Sequence, residues 1–525
     1  MIILGIGGIL GDAAAAVLKD GRLVAAVEQK KIARHQRPGD LPDEAIASCL
    51  AQCGARPDQV DCVAIARPFA VGLETPPHLA LRSLFPNSRI VVVEHHVAHA
   101  ASVYYASDFD SATVLTLDRA GDFRCGALWT AQGNQLRLEK ELYYPDSLAD
   151  LYGRVTALLG LEPNADEHKV QWISASGEPR YLDLFLEMLP AREGQWPRLE
   201  RIWFDGERHG HGGFSARFYH RLGLEDGASI PAKMAPHVAA SLQGAVEKLV
   251  LEMAGSGENL CLAGGLMLNV LRVAALERSG QYRNVFVQPA AGNAGTALGA
   301  VFHAWHQVYG ETARAGIGDF CLGPEYTAEE IKQVVENCKV KFRYLLTTEE
   351  VIGRAVEELQ KDRIVAWMHG RMEFGPRALG NRSILASPLN PYSTENLNTY
   401  IKHRESYRKF AASVPEELVS EFFEVGPNAR LLATVGRVKP AHRKTFEPAT
   451  LGQDTIRVHT VRKQDNPFYW LLLHRAAKVS GLPVLYNTSF NLFGDPLVCT
   501  PRDAVRSFYS SGIDTMFIGH FLLEK

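Results

Sequence analysis

The stretch Ile90-Val91-Val92-Val93-Glu94-His95-His96-Val97-Ala98-His99-Ala100-Ala101 joins two kinds of local structure. Its first four residues form an apolar run typical of a buried strand, and the residues from Glu94 onward predict a helix. The same change occurs at residues 260–266, where an apolar strand meets a helix through Gly264 and Gly265. Residues 237–254 predict an amphipathic helix, because their apolar positions recur at spacings of three and four. Strands that alternate with helices predict an α/β fold.

Outward from this stretch, the chain divides into two α/β units. The first begins with strands predicted at residues 2–6, 13–18 and 23–27, and the second with a helix at 348–360 and a strand at 364–368. Glycines and a proline mark the connection, so we place the domain boundary between residues 310 and 347. No internal repeat at a solenoid period is recognisable.

The composition of the 525 residues is that of an ordinary globular protein. The chain has 56 Lys+Arg against 59 Asp+Glu and a net charge of −3, which argues against a dedicated nucleic-acid binder. The eight cysteines are scattered without a CxxC pair, which fits a reducing compartment. We see no signal peptide and no apolar run long enough to span a membrane, so we expect a cytoplasmic protein without membrane partners.

One group of residues indicates a metal site. His95 and His99 are spaced i and i+4, so both imidazoles lie on one face of the predicted helix, and Asp118 ends a predicted strand. Two histidines and one carboxylate suit iron(II) or another divalent first-row metal, with zinc as an alternative. HxxxH is a loose pattern, and a helix that happens to carry three histidines remains open.

Two glycine-rich turns indicate phosphate or nucleoside binding. Gly264 and Gly265, followed by Asn269, form the first turn, and residues 292–299 form the second. A strand that enters a helix through glycines lets backbone N–H groups approach an anion closely. Glycine also serves tight packing, so either turn alone is a weak signal. Together with the hairpin that begins the chain, the two turns resemble the phosphate-gripping layout of actin-like ATPases and sugar kinases.

A group of basic residues lies between residues 371 and 409. Arg371, Arg377 and Arg382 lie among glycines, and residues 402–409 add further lysines and arginines. Arginine makes forked contacts with phosphate or carboxylate, so these residues predict a pocket for a small anion rather than a solvated basic face. The strand end Asn487-Thr488-Ser489-Phe490-Asn491 offers short polar groups to a phosphate or nucleotide, although it also reads as a plain polar turn.

Together these segments resemble the NodU/CmcH-type O-carbamoyltransferases, which act on nodulation factors, cephamycins and aminoglycosides such as tobramycin. The resemblance covers nearly the whole chain. The motifs that carry it are His95–Ser102, Tyr144–Leu148 with Leu151-Tyr152, Glu167–Val170, Gly264-Gly265 with Asn269, Phe374–Ile384, Lys402–Glu405 and Asn487–Asn491.

The resemblance implies an actin-like ATPase-type transfer domain over residues 1–320 and a YrdC-like domain over residues 346–525. The second domain would form carbamoyl adenylate from carbamoyl phosphate and ATP with magnesium. The first would transfer the carbamoyl group to a hydroxyl of a small natural-product or sugar-like acceptor. The resemblance implies no nucleic-acid partner and is compatible with a homodimer. A tRNA-modifying protein is a further reading, which the net charge disfavours.

The same resemblance assigns residue roles. The implied catalytic residues are Asp12, Arg34, His96 and Asp122. The implied metal ligands are His95, His99, Asp118 and Asn293, with iron(II) expected. The residues implied to bind nucleotide or carbamoyl phosphate are Gly264, Gly265, Asn269, Arg377, Asn381, Arg382, Lys402, Arg404, Arg408, Asn487, Ser489 and Asn491.

The chain departs from the family pattern mainly in its first half. Gly11 stands where the family usually has histidine, Gln36 where it commonly has lysine, and Asn293 where the last metal ligand is usually aspartate. The adenylating half is therefore closer to the pattern than the transfer half. The alternative function is a degenerate partner that keeps the nucleotide and carbamoyl phosphate sites without transfer activity.

Overall fold

This computed structural model describes residues 1–35, 37–68, 75–190, 194–206, 211–314, 317–452 and 454–525. Its first sheet has the strand order β3-β2-β1-β4-β5, in which β1–β3 run antiparallel and β1, β4 and β5 run parallel. The strands are β1 (Ile2–Gly7), β2 (Ala14–Lys19), β3 (Arg22–Glu28), β4 (Cys62–Ala66) and β5 (Arg89–Val93). The helices of this part are α1 (Gln29–Ala33), α2 (Asp43–Cys53), α3 (Thr75–Leu84) and α4 (His95–Tyr104).

The second sheet repeats this connectivity, with the order β10-β9-β6-β7-β8 and the same change from antiparallel to parallel pairing. Its strands are β6 (Ser111–Gly121), β7 (Arg124–Gln132), β8 (Gln135–Tyr143), β9 (Gly257–Ala263) and β10 (Tyr282–Val287). Its helices are α5 (Leu148–Leu158), α6 (Glu167–Ser174), α7 (Leu182–Met188), α8 (Ala216–Arg221), α9 (Ala235–Ala254), α10 (Val270–Arg278) and α11 (Thr296–His303).

This duplication confirms the actin-like fold of the N-terminal domain. In each half the fifth strand is followed by a helix that packs between the two sheets: α4 after β5 and α11 after β10. The two helices cross where Gly299 meets the backbone of Ala98, and glycine is required because a Cβ there would overlap the Ala98 carbonyl. A search for sequence repeats does not detect this duplication, because the two halves share the order and direction of their strands and not a recognisable sequence.

The C-terminal domain is a ten-stranded mixed sheet of order β11-β20-β19-β12-β13-β18-β14-β17-β16-β15, flanked by helices, and confirms the α/β class of the second unit. Its strands are β11 (Arg343–Tyr344), β12 (Val365–Met368), β13 (Arg382–Ala386), β14 (Ala411–Pro415), β15 (Phe423–Glu424), β16 (Val435–Val438), β17 (Thr455–Val461), β18 (Leu485–Ser489), β19 (Thr515–Ile518) and β20 (Phe521–Glu524). Its helices are α12 (Ala328–Asn337), α13 (Thr348–Gln360), α14 (Ser393–Asn396), α15 (Val419–Phe422), α16 (Arg443–Phe446), α17 (Pro467–Ser480) and α18 (Pro501–Tyr509).

The two domains share packed surface. Ile331 and Val335 of α12 lie in the C-terminal core, so this domain includes residues that the sequence-based division left in the connection. Met372, Ala378 and Leu497 of the C-terminal domain pack into the core of the first N-terminal sheet. Contacts between domains can therefore position residues of one in the site of the other. No helix in the described ranges is long and apolar enough to cross a membrane.

Candidate active site at the domain interface

His95, His99 and Asp118 meet at the centre of the N-terminal domain. The helix α4 begins directly after β5, and the Glu94 carboxylate caps it by accepting from the N–H groups of His96 and Val97, each at 3.1 Å. The Asp118 Oδ2 lies 2.8 Å from His95 Nε2 and 3.0 Å from His99 Nε2, and the two Nε2 atoms are 3.1 Å apart. The i,i+4 spacing and the position of Asp118 near the end of β6 thus bring together the three side chains expected from the sequence.

The donor set fits a divalent metal. The Nδ1 of His95 is 3.0 Å from the Arg67 carbonyl, and an N–H donated there leaves Nε2 as the ligand atom. Two bonds of about 2.1 Å at right angles place their ligand atoms about 3 Å apart, which is the separation found among these three atoms. Two nitrogens and one carboxylate on one side of an ion form the facial arrangement typical of non-haem iron(II).

The pKa shifts of His95, His99 and Asp118 favour a negatively charged Asp118, which attracts a cation. Burial raises the pKa of Asp118, but its hydrogen bonds with the two histidines outweigh burial and hold that pKa well below its usual range. Burial lowers the pKa of His95, yet contact with Asp118 reverses the sign and raises it, whereas burial and His95 together lower the pKa of His99. Asp118 is therefore held as a carboxylate, and His95 is protonated more readily than His99.

The first glycine turn lies against this triad. A Cβ on Gly265 would lie 3.0 Å from the Asp118 Oδ1, and Gly264, at φ +95°, lies against the backbone of Leu117. Asn269 caps α10 through the Arg272 N–H and donates to the Gln243 side chain at 2.8 Å. The turn therefore combines the close backbone approach that a phosphate needs with direct proximity to Asp118.

The second turn brings two of the family departures together. Asn293 opens a short 3₁₀ turn, Asn293–Gly295, before α11, and its amide nitrogen lies 4.0 Å from the position of a Cβ on Gly11. The two departures from the pattern are thus neighbours. Gln36, the third departure, lies outside the described residues.

The four implied catalytic residues occupy different surroundings. Asp122 accepts from Arg67 Nε at 3.2 Å and from the backbone N–H of His95 at 3.4 Å, so it borders the triad. Both ring nitrogens of the fully buried His96 are engaged, with Thr116 Oγ1 at 2.9 Å and the Arg124 carbonyl at 3.0 Å, and burial holds its pKa well below the usual range. His96 therefore fixes α4 to the second sheet in this state.

The other two lie beside elements of the first sheet, with Asp12 shortly before β2 and Arg34 directly after α1. Asp12 is half-exposed, has φ +63° and pairs with Lys30. Arg34 donates to the carbonyls of Leu497 and Pro496 at 2.7 and 2.9 Å, and so connects the end of α1 with the C-terminal domain. The structure thus places Arg34 at the domain interface.

Four arginines converge where the C-terminal domain faces α6. Burial lowers the pKa of each. The neighbouring Arg408 lowers it further, to about 10 for Arg377 and to about 9 for Arg404, and three neighbouring guanidinium groups lower the pKa of Arg457. The members are Arg377, Arg404, Arg408 and Arg457, here called the arginine cluster. Within the described part of the chain, none of them forms an ion pair with a carboxylate. The nearby Glu405 pairs with Lys169 instead, at 3.2 Å.

The N-terminal domain completes this pocket. The guanidinium of Arg457 lies 5.7 Å from the ring centre of Trp172, and Arg377 contacts the carbonyl of Leu268 at 3.4 Å. Burial and Arg408 lower the pKa of His168 to about 4, which leaves this histidine neutral. Glu405 and Asp166 are nearby carboxylates, but both pair with Lys169, so four guanidinium groups leave an excess of positive charge that suits an anion with several charges.

The sequence did not identify Arg457 as a residue of the anion pocket. It is the one arginine in β17, a strand of mostly buried residues, and it lies about 50 positions or more along the chain from the other three members of the cluster. Such an arginine in a strand of buried residues is the signal that could have indicated it. Trp172 is its partner across the interface.

The remaining predicted binding residues support the rim of the pocket. Lys402 Nζ donates to the Asn491 side chain at 2.7 Å and to the carbonyls of Ser489 and Asn491. It therefore connects the segment around residue 402 with the end of β18. Asn487 donates to the Ala378 carbonyl at 3.1 Å, next to Arg377.

Arg382 and Asn381 lie on the far side of the same loop. The Arg382 guanidinium is fully buried and donates to the carbonyls of His369 and Gly370, each at 2.9 Å, and to that of Pro324 at 3.2 Å. Asn381 donates to the Arg371 carbonyl at 2.7 Å. In this state both side chains hold the loop, and a direct contact of Arg382 with phosphate would require these bonds to be exchanged.

Comparison with known proteins assigns both halves of the chain. Residues 2–68 and 79–302 match the family Carbamoyltransferase N-terminus, and residues 356–525 match Carbamoyltransferase C-terminus. Nodulation protein NolNO of Sinorhizobium fredii is 32% identical over 98% of this chain and 79% of its own length. Uncharacterized protein sll1178 of Synechocystis is 32% identical over 100% of this chain and 96% of its own length. A 3'-hydroxymethylcephem-O-carbamoyltransferase of Amycolatopsis lactamdurans is 30% identical over 50% of this chain and 48% of its own length.

Proposed function

Since the chain belongs to the carbamoyltransferase family, we propose that it is an ATP-dependent O-carbamoyltransferase that works through carbamoyl adenylate. In the C-terminal domain one water would split carbamoyl phosphate into carbamate and phosphate, and a carbamate oxygen would attack the α-phosphorus of ATP, which forms carbamoyl adenylate and releases pyrophosphate. The adenylate would then pass its carbamoyl group to a hydroxyl of a small-molecule acceptor in the N-terminal domain, with release of AMP. The observation that carries the proposal is the arginine cluster, which lies at the interface of the two domains and forms no ion pair within the described residues.

The arginine cluster supports the adenylating step. Carbamoyl phosphate and ATP together bring more negative charge than one or two arginines can balance, and four guanidinium groups with suppressed pKa values gain most when such anions enter. Enclosure between two domains would also keep water from the mixed anhydride. In this proposal Arg377, Arg404, Arg408 and Arg457 bind and orient phosphate oxygens, and Lys402 holds the strand end beside them.

The triad supports the transfer step. A divalent cation held by His95, His99 and Asp118, with iron(II) as the expected ion, would polarise the carbamoyl carbonyl and stabilise charge that develops on its oxygen. Asp122 holds the start of α4 and thereby the position of His95. Asp12 is the exposed carboxylate that we assign as proton acceptor for the acceptor hydroxyl, a role worth about 10²–10⁴-fold in rate.

The test is turnover of the purified protein with ATP, carbamoyl phosphate and a divalent metal, followed as AMP and pyrophosphate. We expect carbamoyl-phosphate-dependent release by the wild type and at least a tenfold loss in Arg408→Met, since one charge-assisted contact is worth about 1.5–3 kcal/mol. The matched control is Arg475→Met, which removes an exposed arginine from α17. Absence of AMP from the wild type with every metal would leave the degenerate-partner function.

Asn293 tests the transfer half separately. We expect Asn293→Asp to keep AMP formation and to change the transfer rate or the metal preference, because a carboxylate would lower the net positive charge of the site by one unit. Metal content of protein purified without chelator, compared with that of the His95→Ala, His99→Ala double variant, checks the site. Equal metal content in the two proteins would remove the metal from the proposal.

A further inference from the structure

Arg377 stands on a loop that one buried carboxylate closes. Glu373 is fully buried, and its Oε1 accepts from the backbone N–H groups of Leu379, Asn381 and Arg382 at 2.8, 2.9 and 3.0 Å. Three such bonds fold residues 373–382, here called the arginine loop, into a closed turn. Arg377 lies midway along this turn, so its direction depends on how the base of the loop is held.

The base of the arginine loop is held by two side chains of the N-terminal domain. Glu28 Oε2 accepts from the Gly375 N–H at 3.0 Å, and Lys31 Nζ donates to the carbonyl of Glu373 at 2.9 Å and to that of Gly375. Glu28 and Lys31 also form an ion pair with each other, and both are 3% exposed. The N–H and the carbonyl of Gly375 are thus both bound by one ion pair, which consists of Lys31 on α1 and Glu28 directly before that helix.

We propose that Glu28 and Lys31 are positioning residues, which hold the arginine loop so that Arg377 joins the arginine cluster. The inference rests on the proposed function for the identity of the anion, and on the contacts above for the positioning itself. Neither side chain is placed to touch a substrate, because both are buried beneath the loop.

Charge repulsion within the arginine cluster explains why the loop needs Glu28 and Lys31 to hold it. Arg408 lowers the pKa of Arg377, and Arg377, Arg404 and Arg408 together lower that of Arg457, so Arg377 and its neighbours repel one another while the pocket lacks an anion. That repulsion pushes Arg377 and its loop away from Arg408. Gly375, at φ +105°, also lies against Pro289 and Ala290 of the N-terminal domain, so the loop base is seated on two sides. A buried ion pair bonded to backbone resists displacement better than an apolar contact would.

The test is the double variant Glu28→Gln, Lys31→Met, which removes both charges and so leaves no unpaired buried ion. We expect the KM for carbamoyl phosphate or ATP to rise by about tenfold or more with a smaller change in kcat, because a misplaced binding group weakens anion capture. Metal content should stay at the wild-type level. Hydrogen exchange of the Gly375, Leu379 and Asn381 amides should become faster.

The control is Glu358→Gln, which removes another fully buried, paired carboxylate from within the C-terminal domain. It should lower stability without raising the KM or the exchange of the arginine loop. Unchanged KM in the double variant of an active wild type would overturn the positioning role. If the wild type neither turns over nor binds these anions, the proposed function fails. The positioning of the loop is then tested by amide exchange alone, and unchanged exchange in the double variant would overturn it.

Discussion

Gly121 shows how closely a single residue can control the metal site. It ends β6 four residues before Cys125, and a Cβ at this position would overlap the imidazole ring of His95. Its φ is not in the left-handed region, so alanine is excluded by the histidine and not by backbone conformation. A side chain at position 121 would therefore displace the His95 ring.

We expect Gly121→Ala to reduce metal stoichiometry while the protein stays folded, since the ring of His95 must turn away from Asp118. Metal analysis and circular dichroism of the purified variant check this. Gly353→Ala is the matched control, because a Cβ at that helical position meets open space. Full metal content in Gly121→Ala would show that His95 is not a required ligand.

The pKa values of the triad predict how metal binding depends on pH. A metal needs neutral imidazoles, and the pKa of His95 is raised, so protons compete with the metal as the pH falls through that value. The pKa of Asp118 is far too low for it to limit binding over the same range. We expect metal affinity to fall about tenfold per unit below the pKa of His95, with release of about one proton per metal bound. Titration calorimetry in buffers of different ionisation heat measures both, and pH-independent affinity would contradict the assignment.

At the scale of elements, the crossing of α4 and α11 fixes the geometry between the two halves of the N-terminal domain. Each helix follows the fifth strand of its sheet, and the closest approach lies between Gly299 and Ala98, one residue before His99. A backbone in contact with a backbone cannot make room by a change of rotamer. The crossing of α4 and α11 therefore contributes to stability and fixes the position of His99.

Gly299→Ala is expected to lower the free energy of unfolding by about 1–3 kcal/mol, because the added methyl group forces α4 and α11 apart. Denaturant unfolding measures the loss. Gly244→Ala in the long helix α9 is the control, since its Cβ would make an ordinary contact of 3.6 Å with Leu182. That variant should gain about 0.5–1 kcal/mol from helix propensity, and a similar gain in Gly299→Ala would refute the close crossing.

At the scale of the whole molecule, the arginine cluster couples stability to anion binding. A cation whose pKa is lowered on folding destabilises the folded state as long as it is charged. Removing one cation therefore stabilises the empty protein and weakens its response to an anion. The two effects have opposite signs, and a change in packing alone would not produce both.

We expect pyrophosphate to raise the Tm of the wild type, in keeping with about 2.7 kcal/mol of stabilisation at about 100 times its Kd. Arg457→Met should have a higher Tm than the wild type without anion and a smaller rise with it. Differential scanning calorimetry measures both, with Arg475→Met as the surface control. A lower Tm of Arg457→Met without anion would argue that Arg457 serves packing against Trp172.

The sequence by itself determined those features that depend on residues close together in the chain. The helix α13 occupies the predicted residues 348–360, and His95 and His99 share one helix face because the α-helical repeat fixes the relation of i to i+4. The family motifs were readable for the same reason, since each is a short stretch with its own turn or helix start. The sequence marked Asp118 as a strand-end carboxylate, but its meeting with the histidines depends on α4, which follows β5 of the first sheet, packing against β6 of the second.

Only the tertiary structure decided which distant residues meet. Arg457 joins Arg377 across 80 positions, and Lys31 reaches the Glu373 carbonyl across 342 positions, through packing that no local period encodes. The duplicated sheet was equally hidden, because divergent sequences can keep one strand connectivity while sharing few residues. Local spacing is set by covalent geometry, whereas long-range proximity follows from burying two domains against each other, and this second step completes the anion pocket.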